Sequence, residues 1–159
     1  MNWDAISAVA EAVGAAGVIA SLLYLAMQVR ASTRASSVEA KLASSRMYTD
    51  FLVMLVQSPE LNDVFLRGRK DINALGRDDY MRFSNLALIA FSFFSAGYFQ
   101  YSSKTLNDAD WYELRAIVKY WLIGKGCRDW WYKLGHLSFD APFRQFVESE
   151  IAELPEARN

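Results

Sequence analysis

Between Ala12 and Val29 the chain carries no charged residue, and the wider stretch Ala5–Val29 holds only one, Glu11. A helix needs roughly 20 mostly apolar residues to cross a bilayer core of about 30 Å, and this run supplies them unbroken. Its flanks argue against a cleaved signal peptide, which has basic residues ahead of the apolar run and a small-residue cleavage site behind it. Here Asp4 and Glu11 lie ahead, and Arg30 and Arg34 follow. A core helix or an interfacial helix keeps a polar or charged stripe; Val13 to Met27 has no charged face. The run reads as a transmembrane helix.

Orientation follows from charge. Arg30, Arg34, Lys41 and Arg46 lie after the span, and no Lys or Arg lies before it. Basic residues stay on the cytoplasmic side, so the N-terminus is expected outside and residues 30 to 159 in the cytoplasm. The remaining chain is long enough to bury one compact core. With 17 basic and 18 acidic residues and a net charge of -1, it offers nucleic acid no electrostatic attraction, so no nucleic-acid partner is expected. Cys127 is the only cysteine and His136 the only histidine. An internal disulfide is excluded, a reducing compartment fits, and no metal or cofactor is expected.

Beyond the span the chain reads as helix after helix. Residues 31–57 lack Pro and Gly, opening as a small, polar stalk and thickening into Met47, Phe51, Leu52, Leu55 and Val56, the start of a bundle. Ser58-Pro59-Glu60 is an N-cap, a first-turn Pro and a first-turn acid; Gly68 is the expected end of that helix. A helix beginning after Gly76 carries a second uncharged run, Phe83 to Ser103. That run is long enough to be a second span, yet its strongly apolar part is only Leu86 to Phe99, and no charge asymmetry brackets it. It reads as the central helix of a soluble bundle. Ala109 to Ile123, a short helix around Arg128 to Leu134, and a last helix opening at Asp140-Ala141-Pro142 complete the chain. The expected fold is all-α: a single transmembrane helix (1–30), a stalk and first bundle helix (31–57), a cytoplasmic helical domain (58–155) and a frayed tail (156–159). The bundle should hold about six helices by the spacing of its apolar faces.

The opening MNWDAISAVAEAVGAAGVIASLLYLAMQVRASTRA, the later SPEL, the GYFQY around Phe99 and the closing DWW…F…F…FV pattern together resemble an uncharacterised family of small bacterial proteins. Its members begin Met-Asn-Trp-Glu-Ala-Ile and have an N-terminal anchor and a helical remainder. The resemblance implies a bacterial inner-membrane setting. It implies no activity, and no functional residue is carried over from it.

Candidate chemistry is sparse. Glu11 lies near the outer end of the apolar run, and an acid inside a span is a functional-site hypothesis by default. As an intramembrane acid it would line the conduit of an oligomer; in the headgroups it merely sits well at a helix N-terminus. Ala10, Gly14, Gly17 and Ser21 recur at steps of three and four, a small-residue face on which two membrane helices can pack closely. Catalytic Cys-His pairs assemble in space, so Cys127 and His136 remain candidates, without a third partner at any recognisable spacing. Asp110, Glu113, Glu148, Glu150 and Glu153 read as exposed helix faces. Trp130 and Trp131 are adjacent on one helix, so one of them is expected to leave the core for a partner surface, a ligand pocket or the membrane interface.

Two functions follow as expectations. One is a membrane-anchored interaction protein, an accessory subunit, scaffold or signalling module. Its partners are the lipid bilayer and, through the span, either further copies of itself (a homo-oligomer) or another membrane protein. The alternative is an oligomeric assembly or channel with Glu11 facing a conduit. A membrane-tethered enzyme is a distant third, and no catalytic residue is assigned.

Overall fold

A computed structural model describes residues 3–154; residues 156–159, expected to fray, lie outside it. The fold is all-α. The first helix, α1, runs Trp3–Gln57. It is followed by α2 (Pro59–Lys70), α3 (Arg77–Ser102), α4 (Asp108–Ile123), α5 (Lys125–Lys133) and α6 (Ala141–Ala152). Short 3-10 turns at Ile72–Ala74 and Gly135–Ser138 link α2 to α3 and α5 to α6. The chain divides into two units between Leu42 and Ala43.

In the first unit, one helical stretch is long and apolar enough to cross a membrane, the 20 residues Gly14–Thr33. None of these residues is buried. At about 1.5 Å per residue it is roughly 30 Å long, the thickness of a bilayer core. Two of its hydroxyls turn inward to the backbone: Ser21 donates to the Gly17 carbonyl at 2.8 Å and Thr33 to the Val29 carbonyl at 2.9 Å. A hydroxyl satisfied within its own helix can enter hydrocarbon without leaving a bare donor.

The second unit is the bundle, made of the end of α1 and of α2 to α6. Each start has a local cause. The Ser58 hydroxyl accepts from the Leu61 N–H at 3.3 Å, with Pro59 in the first turn. Asn107 accepts from the Asp110 N–H at 2.9 Å, and Asp140 from the Phe143 N–H at 3.1 Å. Such caps satisfy amide donors that have no partner inside the helix.

The uncharged run expected to be the bundle's central helix is α3. Phe83, Leu86, Ala87, Ala90, Phe91 and Phe94 are buried along it. Phe91 is the hub, with ring centroids 5.5 Å from Phe94, 5.3 Å from Trp130 and 5.2 Å from Trp131. Trp121 of α4 joins Phe51, Phe65 and Phe94 at 5.8, 5.1 and 5.8 Å. Aromatic pairs at these separations contribute about 0.5–1.5 kcal/mol each beyond their buried area.

Gly68 does not end α2, which runs on to Lys70. It is buried because backbone meets backbone there: a Cβ on Gly126 would fall on the Gly68 carbonyl oxygen, and one on Gly68 would fall on the Phe83 ring. Helix α5 therefore lies against α2 with no side chain between them. Gly126→Ala is expected to cost about 3 kcal/mol, the upper range for overpacking a well-filled core, because the obstacle is backbone that cannot rotate away. Gly76→Ala, where an added Cβ meets nothing within 4 Å, is the control and should stay close to wild type in urea unfolding. Equal midpoints for the two variants would refute the backbone contact.

Candidate functional site

The candidate residues of α1 are bare. Added Cβ atoms at Gly14 and Gly17 meet nothing within 4 Å, and Ser21 is exposed. Glu11 is exposed and precedes the Gly14–Thr33 stretch. The side chain of Ala10 lies outside the described residues. What this face offers is shape: three small residues at steps of three and four, without a charge among them.

Trp130 and Trp131 correct the sequence reading. Both are buried, at 2% and 0% exposure, so neither lies at a partner surface or the membrane interface. The expectation assumed a helix with one covered face. Helix α5 is only nine residues long and is covered on several sides. Trp130 packs on Phe91, and a Cβ on Gly135 would come within 2.6 Å of its ring. Trp131 meets Phe91, Phe139 and Phe143 at 5.2, 5.6 and 6.0 Å. The backbone contact with α2 draws α5 inward far enough for two directions, about 100° apart on a 3.6-residue turn, to point into core. Neither indole N–H finds an acceptor among the described residues.

Cys127 is fully buried, and burial pushes its thiol up to about 12. The thiolate is the nucleophile, so this cysteine is inert at neutral pH. His136 has its Nδ1 3.0 Å from the Trp131 carbonyl, a distance at which that nitrogen donates its proton to the oxygen. The two residues thus serve the core and a turn. Among the described residues, no group of three or more His, Cys, Asp or Glu side chains could hold a metal ion.

The strongest electrostatic feature was missed in the sequence. Glu150, read as exposed, is 1% exposed. Arg115 Nε donates to its Oε1 at 2.6 Å, and Lys119 Nζ lies 3.3 Å from its Oε2. Glu153 extends the cluster, accepting from Lys119 at 2.8 Å and from Arg115 at 3.1 Å. The hydrogen bond to Glu150 raises the Arg115 guanidinium above its ordinary value, and that to Glu153 raises Lys119. Lys119 in turn holds Glu153 below the carboxylate range. A signal was present: Glu150 follows Phe143 and Val147 at helical steps, on the stripe that faces the core. The cluster fastens α4 to α6 and leaves no free charge to act on a substrate.

Other charges also hold helices in place. Arg67 joins Asp63 and Asp79, both at 2.8 Å. The Arg69 guanidinium lies 3.8 Å from the centre of the Tyr120 ring and donates to the Tyr120 carbonyl. Arg128 donates to the Leu122 and Ile123 carbonyls at 2.6 and 2.9 Å, closing the end of α4. No family model, no curated protein and no solved structure matches the chain.

The buried cluster predicts an asymmetry. Arg115→Leu leaves the buried Glu150 carboxylate with Lys119 alone, 3.3 Å away, and should cost about 3 kcal/mol, the low end for breaking a buried pair. Glu150→Gln strands only Arg115 and Lys119, whose side chains are 38% and 37% exposed and can turn to solvent; about 1 kcal/mol is expected. Equal losses in chemical unfolding would contradict this. Because the folded state lowers Glu153 from 4.5, its stabilisation is present above that pH and fades as pH falls through the lowered value.

Proposed function

We propose that this protein is a membrane-anchored helical interaction protein, held in a bacterial inner membrane by α1. Its N-terminus lies outside and its bundle in the cytoplasm. The observation that carries the reading is the contrast within one chain. Gly14–Thr33 is apolar yet entirely uncovered, while the bundle closes an aromatic core of its own. Exposed Leu, Ile, Val and Met side chains each forgo about 1.5–3 kcal/mol of burial in water, so a run of them is tolerated only where lipid replaces water. Association through the small face of Gly14, Gly17 and Ser21, with another copy or another membrane protein, is the second part of the reading. Glu11 precedes the apolar stretch, which favours a headgroup position over a conduit, although α1 begins at Trp3 and Glu11 is not at its N-terminus.

Cys127 is buried, and Arg115, Lys119, Glu150 and Glu153 are engaged in joining α4 to α6, which supports recognition for the bundle more than catalysis. It acts as an accessory subunit, scaffold or signalling module.

Topology is tested by cysteine labelling in intact cells. A cysteine replacing Asn2 should react with an impermeant thiol reagent, and one replacing Ser45 should react only after lysis; the reverse pattern would overturn the orientation. Association is tested with Gly17→Leu, which places a bulky side chain on the contact face. The complex in mild detergent should shrink for Gly17→Leu and stay intact for Leu22→Ala, about 140° away on the helix. If both variants keep the wild-type size, α1 is an anchor alone.

A further inference from the structure

Helix α1 has two unlike sides. Counted round a 3.6-residue turn from Arg30, Gly14, Gly17 and Ser21 fall at about 200°, 140° and 180°. Ile19, Leu23 and Met27, all exposed, fall within about 60° of Arg30. Because α1 is unbroken from Trp3 to Gln57, this bulky side runs on into Arg30, Arg34 and Lys41, whose positions lie within about 40° of one another. Glu39, the one acid between Arg30 and Arg46, falls at about 180°, on the side of the small residues. Bulky aliphatics and three cations thus share one side of the helix, and small residues and the acid share the other.

We propose that the cationic side of α1 gathers anionic phospholipid headgroups, an inference that rests on the reading of α1 as a membrane span. Continuity with the span identifies the occupant. A membrane helix meets another helix on its small side, which leaves the bulky side to lipid, and at the end of a span lipid presents headgroups. Depth agrees. Arg30 lies about 4.5 Å inside the end of the Gly14–Thr33 stretch and Arg34 about 1.5 Å beyond it. An arginine stem can lie along hydrocarbon while its guanidinium reaches the headgroups, a layer about 5–7 Å thick on each side of the core. There its planar fork matches two oxygens of a phosphate. Lys41, about 12 Å beyond Thr33, stands clear of that layer but within a Debye length of about 8 Å, so it adds attraction without contact. A zwitterionic headgroup sets its own cation beside the phosphate and repels these three, so the preference is for lipids of net negative charge. An acidic protein would have to displace headgroups that already surround the end of a span.

The test is fluorescence quenching with the full chain in vesicles of equal parts phosphatidylcholine and phosphatidylglycerol, the same in both leaflets. A bimane is attached at Leu23→Cys, on the cationic side, or at Leu25→Cys, about 200° round the helix and about 3 Å different in depth. Both sites are exposed. Cys127, fully buried with its thiol pushed up to about 12, takes no label. Bromine is carried on the acyl chains of one lipid at a time. A basic residue beside an anionic surface favours it about fivefold, and other lipids within reach dilute the effect. Brominated phosphatidylglycerol should therefore quench the Leu23 label at least about twice as strongly as brominated phosphatidylcholine, and the Leu25 label equally. Arg30→Gln with Arg34→Gln should remove the preference at Leu23 while total quenching is kept, and Glu39→Gln should leave it in place. No preference at either label, with both still quenched, would overturn the proposal and leave the span standing; the cations would then serve an acidic protein. The same preference at both labels would overturn the one-sided placement. If neither lipid quenches either label, α1 is outside the bilayer and both readings fail together.

Discussion

The bundle depends on one backbone contact, Gly126 of α5 against the carbonyl of Gly68 in α2. With no side chain on either residue, two helices approach closely enough for a nine-residue element to become part of the core. Everything α5 contributes follows from that approach. Cys127, Trp130 and Trp131 are buried together, Phe91 of α3 packs on both indoles, and Phe139 and Phe143 close over Trp131. A core built on tryptophans is demanding, because each indole buries large area but carries an N–H that seeks a partner. Here neither Trp130 nor Trp131 has one among the described residues, and packing outweighs the loss of about 1–3 kcal/mol that an unpaired buried donor incurs.

Around this core the charges are arranged as fasteners. Arg67, Arg69, Arg115 and Arg128 each bond to a carboxylate, a carbonyl or an aromatic face that belongs, in most cases, to a different helix. A guanidinium suits this role because its planar fork offers several donors and its charge persists at any physiological pH. These contacts use part of the charge to hold helices together, while Glu60, Lys70, Arg77, Arg82, Glu113 and Glu148 stay exposed at the surface.

Much of this architecture was legible in the residues. The apolar run, the Ser58-Pro59 and Asp140 helix starts and the central helix over 83–103 follow from charge spacing and capping chemistry, which act over a few residues. Three features were not legible, for related reasons. Gly68 read as the end of a helix because a glycine's role in close approach, here against Gly126, depends on a segment far away in sequence. Trp130 and Trp131 read as one inward and one outward because the covering of a helix on several sides is a tertiary property. Glu150 read as solvated because the cations that hold it, Arg115 and Lys119, lie on another helix. In each case a long-range partner changed the meaning of a local signal. The stripe Phe143–Val147–Glu150 was the one local clue, since an acid on an apolar face needs a partner.

Small residues make the same point about the two long uncharged helices. In α3, Ala87 and Ala90 are buried, and Gly97 is packed so closely that a Cβ there would fall on the Leu114 side chain. Small side chains in α3 are therefore sites where the rest of the bundle supplies the bulk. In α1, Gly14 and Gly17 have nothing within 4 Å of where a Cβ would be. Nothing in the described chain fills those hollows, although both helices carry runs of similar length without charge. A span needs only apolar bulk, and leucine serves that purpose better than glycine, which weakens a helix by about 1 kcal/mol relative to alanine. Gly14 and Gly17 stand among Ala12, Ala15, Ala16 and Ala20, ahead of the bulkier Leu22, Leu23 and Leu25. The proposed association through α1 is one in which a second helix would use that space.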